Sequence, residues 1–333
     1  MIGKAQSVQE LNRQLEDARQ VRSALEQEWI LNLAFYQGRQ WVSSGAVGSG
    51  SLVEPPPAEG EIRFTDNRII GIVRTEIAKF LSTNPQFNCV PASADEAAID
   101  NAELADKVLQ YLWTEHDLEI KLADALLWAR VCGAGFWKIT WDRHAGKQTL
   151  VMAGPDGPYT DPQTGELVPY SEELAQEIER RGGVAKPQPV GLGDVCVEVR
   201  SPFEIIPDPL GKTLEECEWV VEEAVRSLSY LQLRYGDAAA DIKPDAHVGA
   251  GIVERALGRY KTTSEMGVTV RELWARPGPG LPSGRHVVWA GGRVLLDEPN
   301  PYLDIPYVMF GAVPVPGRFW PRRSEEHTSE LQS

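Results

Sequence analysis

The sequence predicts an α+β fold, helical in its first part and mixed strand and helix after it. Three observations carry that expectation. Apolar residues recur at helical spacing from Ser7 to about Val131. The pattern then changes to alternation at Phe136-Trp-Lys-Ile-Thr-Trp141, as in a strand with one face covered. The later β-like runs lack the regular βα alternation of a doubly wound parallel sheet. The expected parts are residues 1–142, helical, and 143–322, mixed α+β.

Ser7 to Gln37 reads as one long helix. Ser7 and Glu10 have the capping-box spacing, and Gly38 is a natural stop. Leu11, Leu15, Ala18, Leu25 and Trp29 form its apolar stripe, with Glu10, Arg13, Glu16, Asp17, Arg19 and Arg22 on a charged face. Trp29 to Tyr36 is apolar nearly all round and calls for cover by other elements. Val42 to Gly60, with its Pro55-Pro-Pro57 run, reads as a loop. Asp66 or Asn67 opens a second helix with Ile69, Ile70, Val73, Ile77 and Leu81 inward, ending before Asn84-Pro85. Asp95 starts a third, with Ile99, Leu104, Val108, Leu112 and Trp113 as its buried side. Leu118 to Val131 is a fourth, stopped by Gly133-Ala-Gly135.

Strands are expected at Val195 to Val199, Glu218 to Ala224, Val268 to Trp274 and His286 to Ala290. Gly291-Gly292 reads as a hairpin turn into Arg293-Val-Leu-Leu296. Ser171 to Arg181 and Ser227 to Tyr235 are short helices, and Gly154 to Gly165 is a surface excursion.

Composition narrows the function classes. An apolar content of 42% with ten Trp is enough for a buried core. The net charge of −15 is a poor grip on phosphates, because nucleic-acid affinity rests on Lys and Arg displacing counterions. Such a surface suits DNA that passes without sticking. Cys89, Cys132, Cys196 and Cys217 form no CxxC pair, so reduced, mostly buried thiols are expected. No apolar run approaches the ~20 residues that span a bilayer, and no signal peptide is read at Met1-Ile-Gly-Lys. No membrane partner is expected.

Motifs for chemistry fail one by one. Gly211-Lys-Thr213 imitates a phosphate loop, but Ile206 stands where that loop needs its first glycine. Gly133-Ala-Gly135 lacks the third glycine of a dinucleotide fingerprint and follows a helix, so a helix stop and a tight turn into a strand suffice. His116, His144, His247 and His286 form no HxxxH or HExxH pattern. Asp95, Glu96, Asp100, Glu103 and Asp106 are spaced as a solvated helix face. Tyr36-Gln-Gly-Arg-Gln-Trp41 lacks the basic groove of a base-stacking platform, and core packing or subunit contact is the better reading. No catalytic, cofactor-binding or metal residue is assigned, and no enzyme activity is expected.

The last eleven residues, Arg323-Ser-Glu-Glu-His-Thr-Ser-Glu-Leu-Gln-Ser333, look like an in-frame translation of a common sequencing-library adapter. They contain one Arg and three Glu, so the remainder carries −13. On this reading the chain is the amino-terminal fragment of a longer protein.

Several blocks in order carry a resemblance. The first are Trp29 to Trp41, Asn67-Arg-Ile-Ile, Asn84-Pro85 and Val90-Pro91. Leu109 to Trp113, Gly133 to Asp142, Ser201-Pro-Phe-Glu-Ile-Ile-Pro-Asp-Pro209 and Pro314-Val-Pro-Gly-Arg-Phe-Trp320 follow. Over most of Glu28 to Pro321 the chain resembles the amino-terminal half of tailed-bacteriophage portal proteins, of the kind found in short-tailed phages. The resemblance implies a virion protein, assembled in the host cytoplasm into a dodecameric ring at one capsid vertex. That ring is the head-tail connector and the conduit for double-stranded DNA during packaging and ejection.

The implied partners are further copies of itself, the terminase packaging motor, capsid and scaffolding proteins, a head-tail adaptor, and DNA held non-specifically. Residues 1–142 and 143–322 would be the helical and mixed parts of the portal wing. The family's stem, clip and crown have no counterpart here, so no channel-lining residue is carried over. Two other classes stay open. One is an enzyme fragment whose catalytic residues lie past the end of this sequence, and the other is another phage structural adaptor or a cytoplasmic scaffold. The enzyme reading predicts a pocket with convergent polar groups, whereas the portal reading predicts an elongated wedge with apolar flanks left open for neighbours.

Independent sequencing of the source locus is expected to replace the codons for Arg323 to Ser333 with a longer reading frame. The same codons followed by a stop would refute that reading.

Overall fold

The computed structural model describes residues 7–44, 52–83, 88–143, 145–155, 157–161, 164, 166–247 and 266–322. By packing, the chain divides into two compact units, Met1–Trp137 with Val199–Ser333, and Lys138–Glu198. Asn84-Pro85, His144 and Arg323 to Ser333 lie outside the described residues.

The first unit begins with α1 (Val8–Tyr36). Ser7 and Glu10 close the capping box in both directions, and Gly38, at φ +84°, takes the left-handed turn that ends the helix. Leu11, Leu15 and Ala18 are buried against a six-stranded antiparallel sheet. Burying each Leu contributes about 1.5–3 kcal/mol. Trp29, Ile30, Leu33 and Ala34 are buried with Val131 and Cys132. Val42 and Leu52 join that cluster, which draws together the strands β1 (Ser43–Ser44) and β2 (Leu52–Val53) in a stretch expected as loop.

Three further helices follow: α2 (Arg68–Ser82), capped by Asn67, then α3 (Glu96–Glu115) and α4 (Leu118–Cys132). Gly133, at φ +97°, ends α4, and a Cβ there would sit 2.5 Å from the Pro321 carbonyl oxygen. At Gly135 a Cβ would come within 2.2 Å of the Ala125 carbonyl oxygen, so glycine lets β3 (Ala134–Asp142) start hard against α4.

The second unit holds β4 (Gln148–Gly154), β5 (Gly157–Pro158), α5 (Glu172–Arg180) and β6 (Lys186–Gly191), with strand order β5-β4-β6. Met152, Ala175 and Ala185 make its small core. β6 was not among the expected strands, and it contains Pro187 and Pro189. Both prolines sit on the edge strand two residues apart, so the missing N–H groups fall on one side of it. β7 (Asp194–Arg200) follows β6 along the chain.

The large sheet runs β13-β12-β11-β9-β8, with β10 (Ala246–His247) pairing β11. Its strands are β8 (Ile205–Pro207), β9 (Trp219–Ser227), β11 (Met266–Ala275), β12 (Arg285–Ala290) and β13 (Arg293–Glu298), and all the pairs are antiparallel. α6 (Leu228–Tyr235) follows β9, and β14 (Tyr307–Gly311) comes last. Gly291 and Gly292, at φ +56° and +77°, make the β12–β13 hairpin turn as expected. Alternation splits the sheet cleanly. Ile206, Val221, Leu273 and Val287 face α1, while Ile205, Val220, Trp274 and Val288 belong to clusters on the other face.

That second face also carries buried polar groups. Glu222 and Glu272 stand directly opposite each other on β9 and β11. Glu222 accepts from Arg200 Nε at 2.7 Å and from the Tyr307 hydroxyl at 2.7 Å. Glu272 meets His286 Nε2 at 3.0 Å, and Glu298 meets His286 Nδ1 at 3.0 Å. Burial, with Glu222 and Glu272 nearby, pushes the Tyr307 hydroxyl well above its ordinary range and keeps it a donor. Glu222→Gln removes the buried carboxylate charge to which Arg200 and Tyr307 donate. It is expected to cost about 3–5 kcal/mol in urea unfolding, and a loss under ~1 kcal/mol would refute that role.

Candidate assembly surface

α2 and α3 both pack on α4, and much of their apolar surface stays open. α3 has no buried residue, which corrects the expectation that Ile99, Leu104, Val108, Leu112 and Trp113 form one buried side. Leu112 and Trp113 are half-buried, together with Ala98, Ala102 and Ala105. Leu104, Val108 and Tyr111 lie on a different face of the helix and are 60%, 47% and 52% exposed. Asp100 and Glu115 stand at the two ends of that stripe, both exposed. Periodicity alone shows that a face is apolar, not what covers it.

A groove of about 560 Å³ lies elsewhere on the same unit, between the middle of α1, the turn Pro207 to Lys212, and Val315 to Arg322. Its wall is built tightly. The buried Asp208 carboxylate accepts from the N–H groups of Leu210 at 3.0 Å and Glu218 at 3.3 Å. A Cβ on Gly211 would come within 2.5 Å of Cys217 Sγ. Burial beside Asp208 pushes the Cys217 thiol up to about 12, so it stays protonated and unreactive. Val21 and Leu210 are exposed apolar residues lining the groove. Lys212 and Arg318 are exposed cations lining it with no ion-pair partner among the described residues.

The rejected motifs have structural places. Lys212 of the Gly-Lys-Thr run donates its N–H to the Glu216 carboxylate at 3.0 Å, where a phosphate loop would present amides to an anionic ligand. His286 is held between two carboxylates and stacks on Trp274 at 3.6 Å, His116 caps the end of α3, and His247 lies on β10. Among the described residues, no three His, Cys, Asp or Glu side chains gather to hold a metal ion. Trp41 is part exposed, with the Arg63 guanidinium 5.2 Å from its ring centre.

Four of the distant sequence blocks meet at one aromatic cluster. Trp29 of α1 packs edge-on against Phe203 at 5.3 Å and Trp320 at 4.9 Å. Phe136 of β3 lies 6.0 Å from Trp320, and Phe319 lies 5.0 Å from it. Edge-to-face pairs of this kind contribute about 0.5–1.5 kcal/mol each beyond their buried area. A family model described as Phage SU10 portal protein matches residues 7–333. The chain belongs to the SU10 portal family. No curated protein matches it. Portal proteins of this family are a structural kind of virion protein, and no helix of the described residues is long and apolar enough to cross a membrane.

The purified protein is expected to hydrolyse no ATP, with Lys212→Ala leaving that baseline unchanged. Turnover above background that is lost on Lys212→Ala would contradict this assignment of the Gly-Lys-Thr turn.

Proposed function

We propose that this chain is a structural subunit of a portal ring at one capsid vertex, through which double-stranded DNA is packaged and later ejected. Residues 1–142 and 143–322 are taken as the helical and mixed parts of its wing. The observation that carries the reading is the unpartnered apolar stripe of α3, set beside membership in a portal family. A subunit completed by its neighbours leaves such faces open when it stands alone. An enzyme would instead gather polar groups in a cavity. The buried Glu222, Arg200 and Tyr307, and His286 with Glu272, bond to one another on the face of the sheet away from α1.

The other partners follow from that role: further copies in a dodecameric ring, the terminase motor that powers DNA movement, capsid and scaffolding proteins, and a head-tail adaptor. DNA would pass without being held. A net charge of −15 fits a conduit, since tight phosphate binding would stall transport. Assembly would take place in the host cytoplasm and the product would be the virion.

A nonsense mutation in this gene of the parent phage is expected to give heads without packaged DNA. An antibody to the chain is expected to label wild-type virions at a single vertex. DNA-filled heads from the mutant, or label spread over the shell, would refute the reading.

A further inference from the structure

We propose that the Leu104–Val108–Tyr111 stripe of α3 seats in the groove beside α1 on a second copy of the chain. This rests on the ring reading above and names the two surfaces that meet. The surfaces are unlike, as a head-to-tail contact requires: one presents a convex apolar helix, the other a concave wall. Positions i, i+4 and i+7 are the anchors by which a helix enters a groove. Val21 and Leu210, 67% and 88% exposed, offer apolar contact to those anchors.

Charge supports the same pairing. Asp100 and Glu115 end the stripe, while Lys212 and Arg318 line the groove without ion-pair partners of their own among the described residues. Glu28 is an exposed anion also lining the groove. Opposite charges around an apolar seat select the partner and its register, and they weaken as salt is raised. Three side chains bury far less than the ~800 Å² per partner of a stable interface, so this contact alone gives weak, concentration-dependent association.

Complementary variants test the pairing. Val108→Asp blocks the helix side, and Val21→Asp blocks the groove side. Both positions are exposed, so the fold is expected to survive, which circular dichroism checks; Leu210→Asp is a second groove variant. In sedimentation velocity from ~10 μM to ~1 mM, the 333-residue chain is expected to associate progressively, and each variant alone to weaken at least ~10-fold in Kd.

An equal mixture of the Val108→Asp and Val21→Asp chains is expected to form dimers and stop there, because one intact helix and one intact groove remain between them. Variants that associate like the wild type, or a mixture that grows past dimers, would overturn the pairing. The ring reading would still stand on the virion experiment. A wild-type chain that stays monomeric throughout would also overturn the pairing.

Discussion

A single buried guanidinium, that of Arg22, ties the long first helix to the sheet. It is 3% exposed and donates to the carbonyls of Pro202 at 3.0 Å, Phe203 at 3.1 Å and Ile205, while Nε donates to Glu26 at 2.8 Å. Burial lowers its pKa and the Glu26 carboxylate offsets that, leaving a cation whose donors are satisfied. The carbonyls of Pro202 and Phe203 belong to the turn that leads into β8, and that of Ile205 is the strand's first, so the contact fixes where that strand begins. With α1 held there, Trp29 reaches Phe203 and Trp320, and the aromatic cluster joins α1 to β3. α4 packs on α1, and α2 and α3 pack on α4.

The polar stripe on the far face of the sheet sets register more than it adds stability. Glu222 and Glu272 oppose each other across two strands, an arrangement that repels unless each has its own partner. Arg200 and Tyr307 serve one, and His286 serves the other. A slip by one residue would turn these charges toward α1 and send Leu273 and Val287 the other way. Nearby, Glu204 accepts from both the N–H and the hydroxyl of Ser201, and burial holds its carboxyl above the usual carboxylate range.

The elements with strong local signals were legible. The capping box at Ser7, the glycine stop at Gly38, the alternation in β3 and the Gly291-Gly292 turn each follow from chemistry within a few residues. Arg22 was placed on the solvated face of α1 by its charge. Its spacing of four from Ala18 and seven from Leu15 put it on the buried stripe, and that was the missed signal. Tyr307–Gly311 and Ile205–Pro207 are short strands whose identity comes from partners far along the chain. The groove joins segments near residues 18–32, 207–212 and 315–322, which no local pattern brings together. Leu104 and Val108 of α3 were read as core because helical periodicity is the same whether or not an apolar face is covered.

The two helices differ in burial. α1 is buried in the core of its unit, whereas α3 keeps an apolar stripe exposed among the described residues. Amide hydrogen exchange distinguishes them directly. In the isolated chain, α3 amides between Ala102 and Glu115 are expected to exchange at least ~10-fold faster than α1 amides between Leu15 and Ala34, and to slow toward them on assembly. Equal, high protection of α3 and α1 in the isolated chain would contradict the account.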